Sequence, residues 1–354
     1  MPPALDDLQP IGDAIRRGLG SVGVHGVWLD GIMALIGVVV LANFALANGG
    51  LMSYVWRKEM AYIQDRHGPN RVGPGGLLQF LADGVKMIVK EGIIPRKADR
   101  AVFLLAPVVA VFPFVMAYMV IPFSRGGTLA DVNVGVLFLF AITSLVFPSV
   151  FMAGWASNNK YSMVGAMRAV AQLLAFEVPL TMSALGVVLL AGSLSTGAVV
   201  AAQGHLWFIF PQIIGAVVFF IAGMAENAAH PFDLTEAESE IVAGYYTEYP
   251  GMLFGLFFLG ELGTTFTLGA VFTTFFLGGW QPPLGFLAAV PPIVWFLGKS
   301  YLMFGVFTLA RFSMPRFRID QFLSFGWKVL TPVAFANLFI AAVEVVLTGN
   351  FFQP

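Results

Sequence analysis

Three consecutive stretches decide the fold between them: LWFIFPQIIGAVVFFIAGMAE at residues 206–226, NAAHPFDLTEAESEIVAGYYTEY at 227–249, and PGMLFGLFFLGELGTTFTLGAVFTTFFLG at 250–278. The outer two are apolar and of the length that crosses a hydrocarbon core, roughly 20 residues as helix. The middle one carries Asp233, Glu236, Glu238, Glu240 and Glu248, with Glu226 at its threshold and no Lys or Arg. A carboxylate near hydrocarbon costs roughly 2.5–3.5 kcal/mol on insertion scales, so uncompensated acids at a helix end need a reason. The reason this pattern suggests is proton handling.

The rest of the chain repeats the apolar theme. Of 354 residues, 58% are hydrophobic and 11% charged, against about 25% charged in soluble domains, and the mean hydropathy is +0.82. This is an all-α polytopic membrane protein, read as a single membrane domain over residues 1–354. Eight spans are expected, at about 29–55, 101–122, 134–154, 163–191, 206–226, 250–278, 284–310 and 325–347. Arg57 to Arg100, Lys160 with Arg168, and Arg311 to Lys328 hold 15 of the 19 basic residues. The positive-inside rule makes those connectors cytoplasmic. Alternation then puts both termini outside, with residues 1–28 an external segment, and places the acidic loop, residues 226–249, inside beside the basic connector 56–100.

Composition also excludes functions. Without cysteine the chain offers no disulfide, thiolate zinc site or cysteine-ligated iron–sulfur cluster. The four histidines lack paired ligand spacing, and no glycine-rich nucleotide motif occurs. Basic residues without interleaved aromatics make nucleic acid an unsuitable partner. Any electron carrier must reside in another chain. The first residues, MPPALDDLQPIGDAIRRGLG, show no basic segment leading directly into an apolar core, so no signal peptide is expected.

In the first connector, GPNRVGPGG at 68–76 prohibits regular helix and forces a sharp turn. LLQFLADGVKMIVKEG follows, with Leu77, Leu78, Phe80, Leu81, Val85, Ile88 and Val89 on one face and Asp83, Lys86 and Lys90 opposite. It is too short to span and reads as an amphipathic helix in the interface plane.

Within the spans, Glu177 precedes Pro179, whose missing donor frees a carbonyl one turn back and favours a hydrated pocket. Glu261 sits among small and apolar residues, Lys299 reads as a structural partner, and Glu344 lies near the outer boundary. Glu177, Glu226 and Glu261 outnumber the one intramembrane Lys, so protonation or water must satisfy the remainder. In the acidic loop Pro231 excludes helix, while Thr235 and Glu238 have capping-box spacing and predict a short helix. Asp233, Glu236, Glu238 and Glu240 together form a dense acidic group whose charge state would respond to a nearby event.

Four runs then carry a resemblance: GPNRVGPGGLLQFLADGVKMIVKE, GWASNNKYSMVGAMRAVAQLLAFE, HPFDLTEAESEIVAGYYTEY and RFRIDQFLSFGWK. In this order they resemble the H-subunit family of bacterial NADH-quinone oxidoreductase, the membrane subunit of respiratory complex I that mitochondria encode as the first NADH dehydrogenase chain. The resemblance covers almost the whole chain from about residue 50.

It implies a subunit of a proton-pumping enzyme complex in the bacterial inner membrane, inactive alone, at the mouth of a quinone chamber. Quinone would be the substrate, with FMN and iron–sulfur clusters held by partners. Those partners would be the peripheral-arm quinone-site and iron–sulfur subunits, small membrane subunits and antiporter-like subunits. The resemblance further implies that Arg57, Arg168, Phe232 and Arg311 border the chamber and that Asp83 faces it from the in-plane helix. Glu177, Glu226 and Glu261 would belong to a channel leading away from it, and Asp233, Glu236, Glu238 and Glu240 to a flexible acidic loop.

Two positions depart from the family pattern. Trp56 stands where an acid usually precedes Arg57-Lys58, and Ala229 stands where an arginine usually precedes the P-F-D run. The two are expected to be one coupled change. Ser144 replaces a further channel acid of some members. The same subunit type also serves complexes fed by ferredoxin or another donor, and nothing in this chain distinguishes them. A stand-alone ion-coupled transporter would call for repeat symmetry, and none is visible.

Overall fold

The computed structural model describes residues 9–21, 26–233, 235, 238–283 and 289–348. Among these there is no strand. Seven helices are long and apolar enough to cross a membrane, and one shorter apolar helix accompanies them.

An N-terminal helix, α1 (Gln9–Ser21), is tied to α2 (Val27–Ile63) by the pair Arg16 and Asp30. The first span was expected to stop near residue 55, but α2 continues for two more turns. Arg57, Lys58, Glu59 and Met60 are good helix formers, and a helix need not end where hydrocarbon ends. The following turn depends on glycine. Gly76 has φ +84°, and a Cβ there would lie 2.0 Å from the Pro69 carbonyl oxygen. The chain thereby reverses into α3 (Gln79–Val89), the expected in-plane helix. Leu81, Val85, Ile88 and Val89 stay exposed along it, as an interfacial apolar stripe requires.

Asp99 caps α4 (Arg100–Ala117), its carboxylate accepting from Ala101 N at 3.2 Å and Val102 N at 3.4 Å. The third span is two helices, α5 (Gly135–Thr143) and α6 (Val146–Ala156). Pro148 explains the break: it cannot donate to the Ser144 carbonyl, and its ring crowds that position. Asn159 then caps the long α7 (Lys160–Ala191), which runs through Pro179 to a left-handed Gly192.

After the short α8 (Thr196–Ala202) comes α9 (Ile213–Glu226). The fifth span was expected from residue 206, but Pro211 disfavours helix before it. At 1.5 Å per residue α9 is about 21 Å long, less than a typical ~30 Å core. Among its described residues the acidic loop holds one α-helical turn, α10 (Glu238–Ile241), and a 3-10 turn at Gly244–Tyr246, before α11 (Gly251–Phe276) and α12 (Pro292–Ser313). The last span starts earlier than expected, in α13 (Ile319–Phe325). It passes through a π turn at Gly326–Leu330 into α14 (Thr331–Thr348). Pro332 leaves the Lys328 carbonyl without its usual donor, which suits the wider turn.

Two helices organise the packing. Helix α7 lies against α6, α9 and α14, while α11 lies against α2, α4 and α12. Phe176, Phe219, Phe266, Phe275, Phe276 and Phe304 fill the space between them with essentially no exposure. Small residues set the closest approaches, as expected where lipid removes the hydrophobic drive. A Cβ at Gly165 of α7 would lie 2.7 Å from Gly244 Cα, so only glycine lets the end of the acidic loop rest on this helix.

Candidate functional site

Glu226 at the end of α9 and Glu261 in α11 line one cavity with Gln172 of α7, Thr235, Tyr245 and Thr264. It offers about 70 Å³ to water-sized spheres, room for several waters at roughly 10–15 Å³ each. Its polar walls are under-satisfied. Glu226 Oε2, Gln172 Oε1 and Thr235 Oγ1 are buried without a hydrogen-bond partner among the described residues. Gln172 is fixed by donating from Nε2 to the Ala225 carbonyl at 2.7 Å, which aligns α7 with α9. Glu177, on α7, lies near enough to Glu226 for their charges to repel. Among the described residues neither acid has an ion-pair partner. The expected capping box involves Glu236, Ala237 and the Glu238 side chain, which lie outside the described residues, whereas the single turn of α10 is present.

Glu261, Glu240, Asp83 and Asp233 are paired. Glu261 Oε1 accepts from Arg311 Nη1 at 2.5 Å, with 15% and 11% of the two side chains exposed. Sequence counting set Lys299 against the internal acids and missed that Arg311, at the end of α12, folds back to one of them. Lys299 serves carbonyls instead, donating to Leu277 O at 2.6 Å, Gly279 O at 3.1 Å and Gln281 O at 2.7 Å. Glu240 pairs with Arg168 across the gap between α10 and α7. Asp83 Oδ2 sits 2.6 Å from Arg57 Nη2, linking α3 to the projecting end of α2; the approach is close, but its angle is not that of a hydrogen bond.

Asp233 is buried and held at the start of the acidic loop. Its Oδ2 accepts from Arg316 Nη2 at 3.0 Å and lies 3.3 Å from His230 Nδ1. Burial pushes the His230 imidazole below its ordinary range. Asp233 pulls it back up, while Arg316 and Arg311 push it further down and Glu261 again raises it. Arg316 was not singled out from sequence, because only the tertiary path brings it to a loop 83 residues away. Phe232 beside it is buried in an aromatic cluster, 4.8 Å from Phe322 and 5.8 Å from Phe317 between ring centroids. At the far end of the loop, Glu248 accepts from Asn159 at 2.6 Å and Tyr249 stacks on Phe103 at 4.0 Å. Burial pushes the Tyr249 hydroxyl up. Glu236 and the side chain of Glu238 lie outside the described residues.

The two departures meet. Trp56, Ala229 and Arg311 line a second, small cavity together with Asn227, Thr265 and Thr308. The Trp56 ring lies 5.4 Å from the Arg311 guanidinium carbon. Trp56 and Ala229 thus share neighbours, as a coupled change requires. Among the described residues no cluster of His, Asp or Glu is arranged to hold a metal ion.

Such a fold and site define a multi-spanning helical membrane protein with a carboxylate-lined cavity, large enough for water, at the base of an acidic loop. Its spans match the profile of the NADH dehydrogenase family over residues 35–342, and the chain belongs to that family. It is 47% identical to the H-subunit of NADH-quinone oxidoreductase from Dehalococcoides mccartyi strain CBDB1 over 319 residues, 90% of this chain and 89% of that one. The H-subunit from Carboxydothermus hydrogenoformans is 48% identical over 318 residues, 90% and 91% of the two chains.

Proposed function

We propose that this chain is the membrane subunit of a proton-pumping NADH-quinone oxidoreductase in the bacterial inner membrane. It would form one wall of the quinone-chamber entrance and the first carboxylates of the path that couples quinone reduction to proton movement. In this reading the chain is one membrane domain, with the basic connector and the acidic loop on the cytoplasmic side. Family membership and two relatives near 47% identity support the enzyme complex. The observation that carries the coupling role is the cavity holding Glu226, which has no counter-ion among the described residues, and Glu261, which has Arg311.

Quinone taking up two electrons, from a carrier in a partner subunit, must also take up two protons to become quinol. Arg57, Asp83, Arg168, Phe232 and Arg311 would border the place where this happens. Loss of protons from the vicinity of Asp233, Glu236, Glu238 and Glu240 alters the local charge. Glu226 responds because it is buried and has no compensating cation among the described residues. Glu177 follows through repulsion, and Glu261 through exchange of its Arg311 pairing for a proton. Neighbouring small and antiporter-like membrane subunits would receive the charge.

The test is pumping by the intact complex in sealed vesicles with Glu226→Gln or Glu177→Gln. Both variants should assemble and reduce quinone at lowered rate with a reduced proton yield per electron. Wild-type yield in both would refute the relay.

A further inference from the structure

Trp56 is the residue of this site whose chemistry the coupling scheme leaves unused. Its ring is clamped from two sides, by Phe258 at 5.9 Å and 74° and by Phe312 at 5.6 Å and 46°. That clamp fixes the orientation of the ring face toward Arg311, within the ~6 Å at which a guanidinium is attracted to an aromatic quadrupole. The indole Nε1 is buried without a hydrogen-bond partner among the described residues, so within this chain the face of the ring, not its N–H, makes the polar contact. Arg311 is a mostly buried cation whose carboxylate partner is Glu261, and an aromatic face adds attraction without adding charge.

We propose that Trp56 is a positioning residue that holds the Arg311 guanidinium against Glu261, and that Ala229 is kept small and neutral so that this arrangement persists. The consequence at the two positions follows from charge alone. A carboxylate at 56 would compete with Glu261 for Arg311, releasing Glu261 from its pair. A guanidinium at 229, in the same small cavity, would repel Arg311 and offer Glu261 a second partner. Introduced together, the two new charges can pair with each other and leave Arg311 where it was. An aromatic at 56 with alanine at 229 and an acid with a base are therefore two self-consistent solutions, whereas the mixed combinations are not.

The inference rests on the assignment of Glu261 to the coupling path, and the experiment separates the two. In the intact complex, Trp56→Leu and Trp56→Phe are compared for quinone KM, kcat, proton yield and melting temperature, each also in Glu261→Gln and Arg311→Met backgrounds. Trp56→Phe retains a ring face and should stay near wild type. Trp56→Leu should lower kcat and proton yield roughly three- to ten-fold, with KM little changed. That loss should vanish when Glu261→Gln is already present. Trp56→Glu and Ala229→Arg should each be impaired, and their combination should recover most of the activity. Non-additive melting temperatures of Trp56→Leu and Arg311→Met, with normal pumping by Glu261→Gln, would keep the positioning role and remove Glu261 from the coupling path. Additive melting temperatures, or a Trp56→Leu defect of full size in the Glu261→Gln background, would overturn the proposal.

Discussion

Arg311 Nη1 donates to Glu261 Oε1 at 2.5 Å across the contact between α12 and α11, and neither side chain is more than 15% exposed. Removing one partner of such a pair leaves the other charge without its counter-ion, which typically costs about 3–5 kcal/mol, whereas removing both is often tolerated. Glu261→Gln should therefore lower the melting temperature of the complex, and adding Arg311→Met should recover most of the loss. Equal melting temperatures for the single variant and the wild type would mean that the pair contributes nothing to the fold.

His230 gives the acidic loop a dependence on pH with a definite sign. Asp233, Arg316, Arg311 and Glu261 all act on it, and burial lowers its folded affinity for protons below the ordinary value of 6.5. The unfolded loop then binds more protons than the docked one, so docking weakens on acidification. The contribution is fully present above pH about 6.5 and is lost as the pH falls through the lowered folded value. Protection factors of residues 228–233, that is exchange corrected for its intrinsic dependence on pH, should be higher at pH 7.5 than at pH 5.5. His230→Gln should flatten that difference, and an unchanged pH response in the variant would assign it to another group.

How much of this was legible depends on which physical signal each feature leaves. Transmembrane length writes itself into hydropathy, so the spans and the in-plane α3 could be placed from sequence. Their ends could not: α2 passes its expected end because Arg57 to Met60 are helix formers, and α9 starts late because of Pro211. The acids announced themselves by being costly in an apolar chain, but their partners did not. Arg316 reaches Asp233 and Arg311 reaches Glu261 only because the chain returns past them, and a local window holds no trace of that. The Trp56 and Ala229 departures were visible, whereas their common cavity required coordinates.

Gly165 is a steric prediction. A methyl group there would lie 2.7 Å from Gly244 Cα and 2.9 Å from Tyr245 N, both backbone atoms that cannot rotate away. Gly165→Ala should displace the end of the acidic loop at a cost of about 1–3 kcal/mol, as overpacking typically does. Faster hydrogen exchange confined to residues 244–249 is the expected readout; unchanged exchange there would show that α7 itself shifts instead.

Tyr249 separates ring from hydroxyl. Its ring stacks on Phe103 at 4.0 Å and 4° and meets Phe257 edge-on at 5.0 Å, while its hydroxyl has no hydrogen-bond partner among the described residues. Tyr249→Phe should change stability by no more than about 0.5 kcal/mol, in keeping with a group that makes no bond. Tyr249→Ala removes the stacked ring and should cost about 3–5 kcal/mol. Thermal melting of the two variants decides it, and similar losses in both would mean that the hydroxyl bears the load.

Lys299 is a charge used as a splint. Helix α11 ends at Phe276, and the carbonyls of Leu277, Gly279 and Gln281 turn inward just beyond it, where Lys299 Nζ from α12 reaches all three. The ammonium also lies 4.2 Å from the centroid of the Trp207 ring, which adds a fourth attraction. Three donors on one tetrahedral nitrogen can serve three divergent acceptors, which the planar fork of arginine is not shaped to do. Lys299→Met keeps most of the apolar stem but strands the carbonyls, at about 1–3 kcal/mol for a buried acceptor left unpaired. Lys299→Arg, although it retains the charge, should therefore also be destabilised. If thermal melting showed Lys299→Arg to match the wild type, charge near Trp207 would suffice and the carbonyl geometry would not matter. If Lys299→Met alone matched it, the end of α11 would be held by packing and not by this residue.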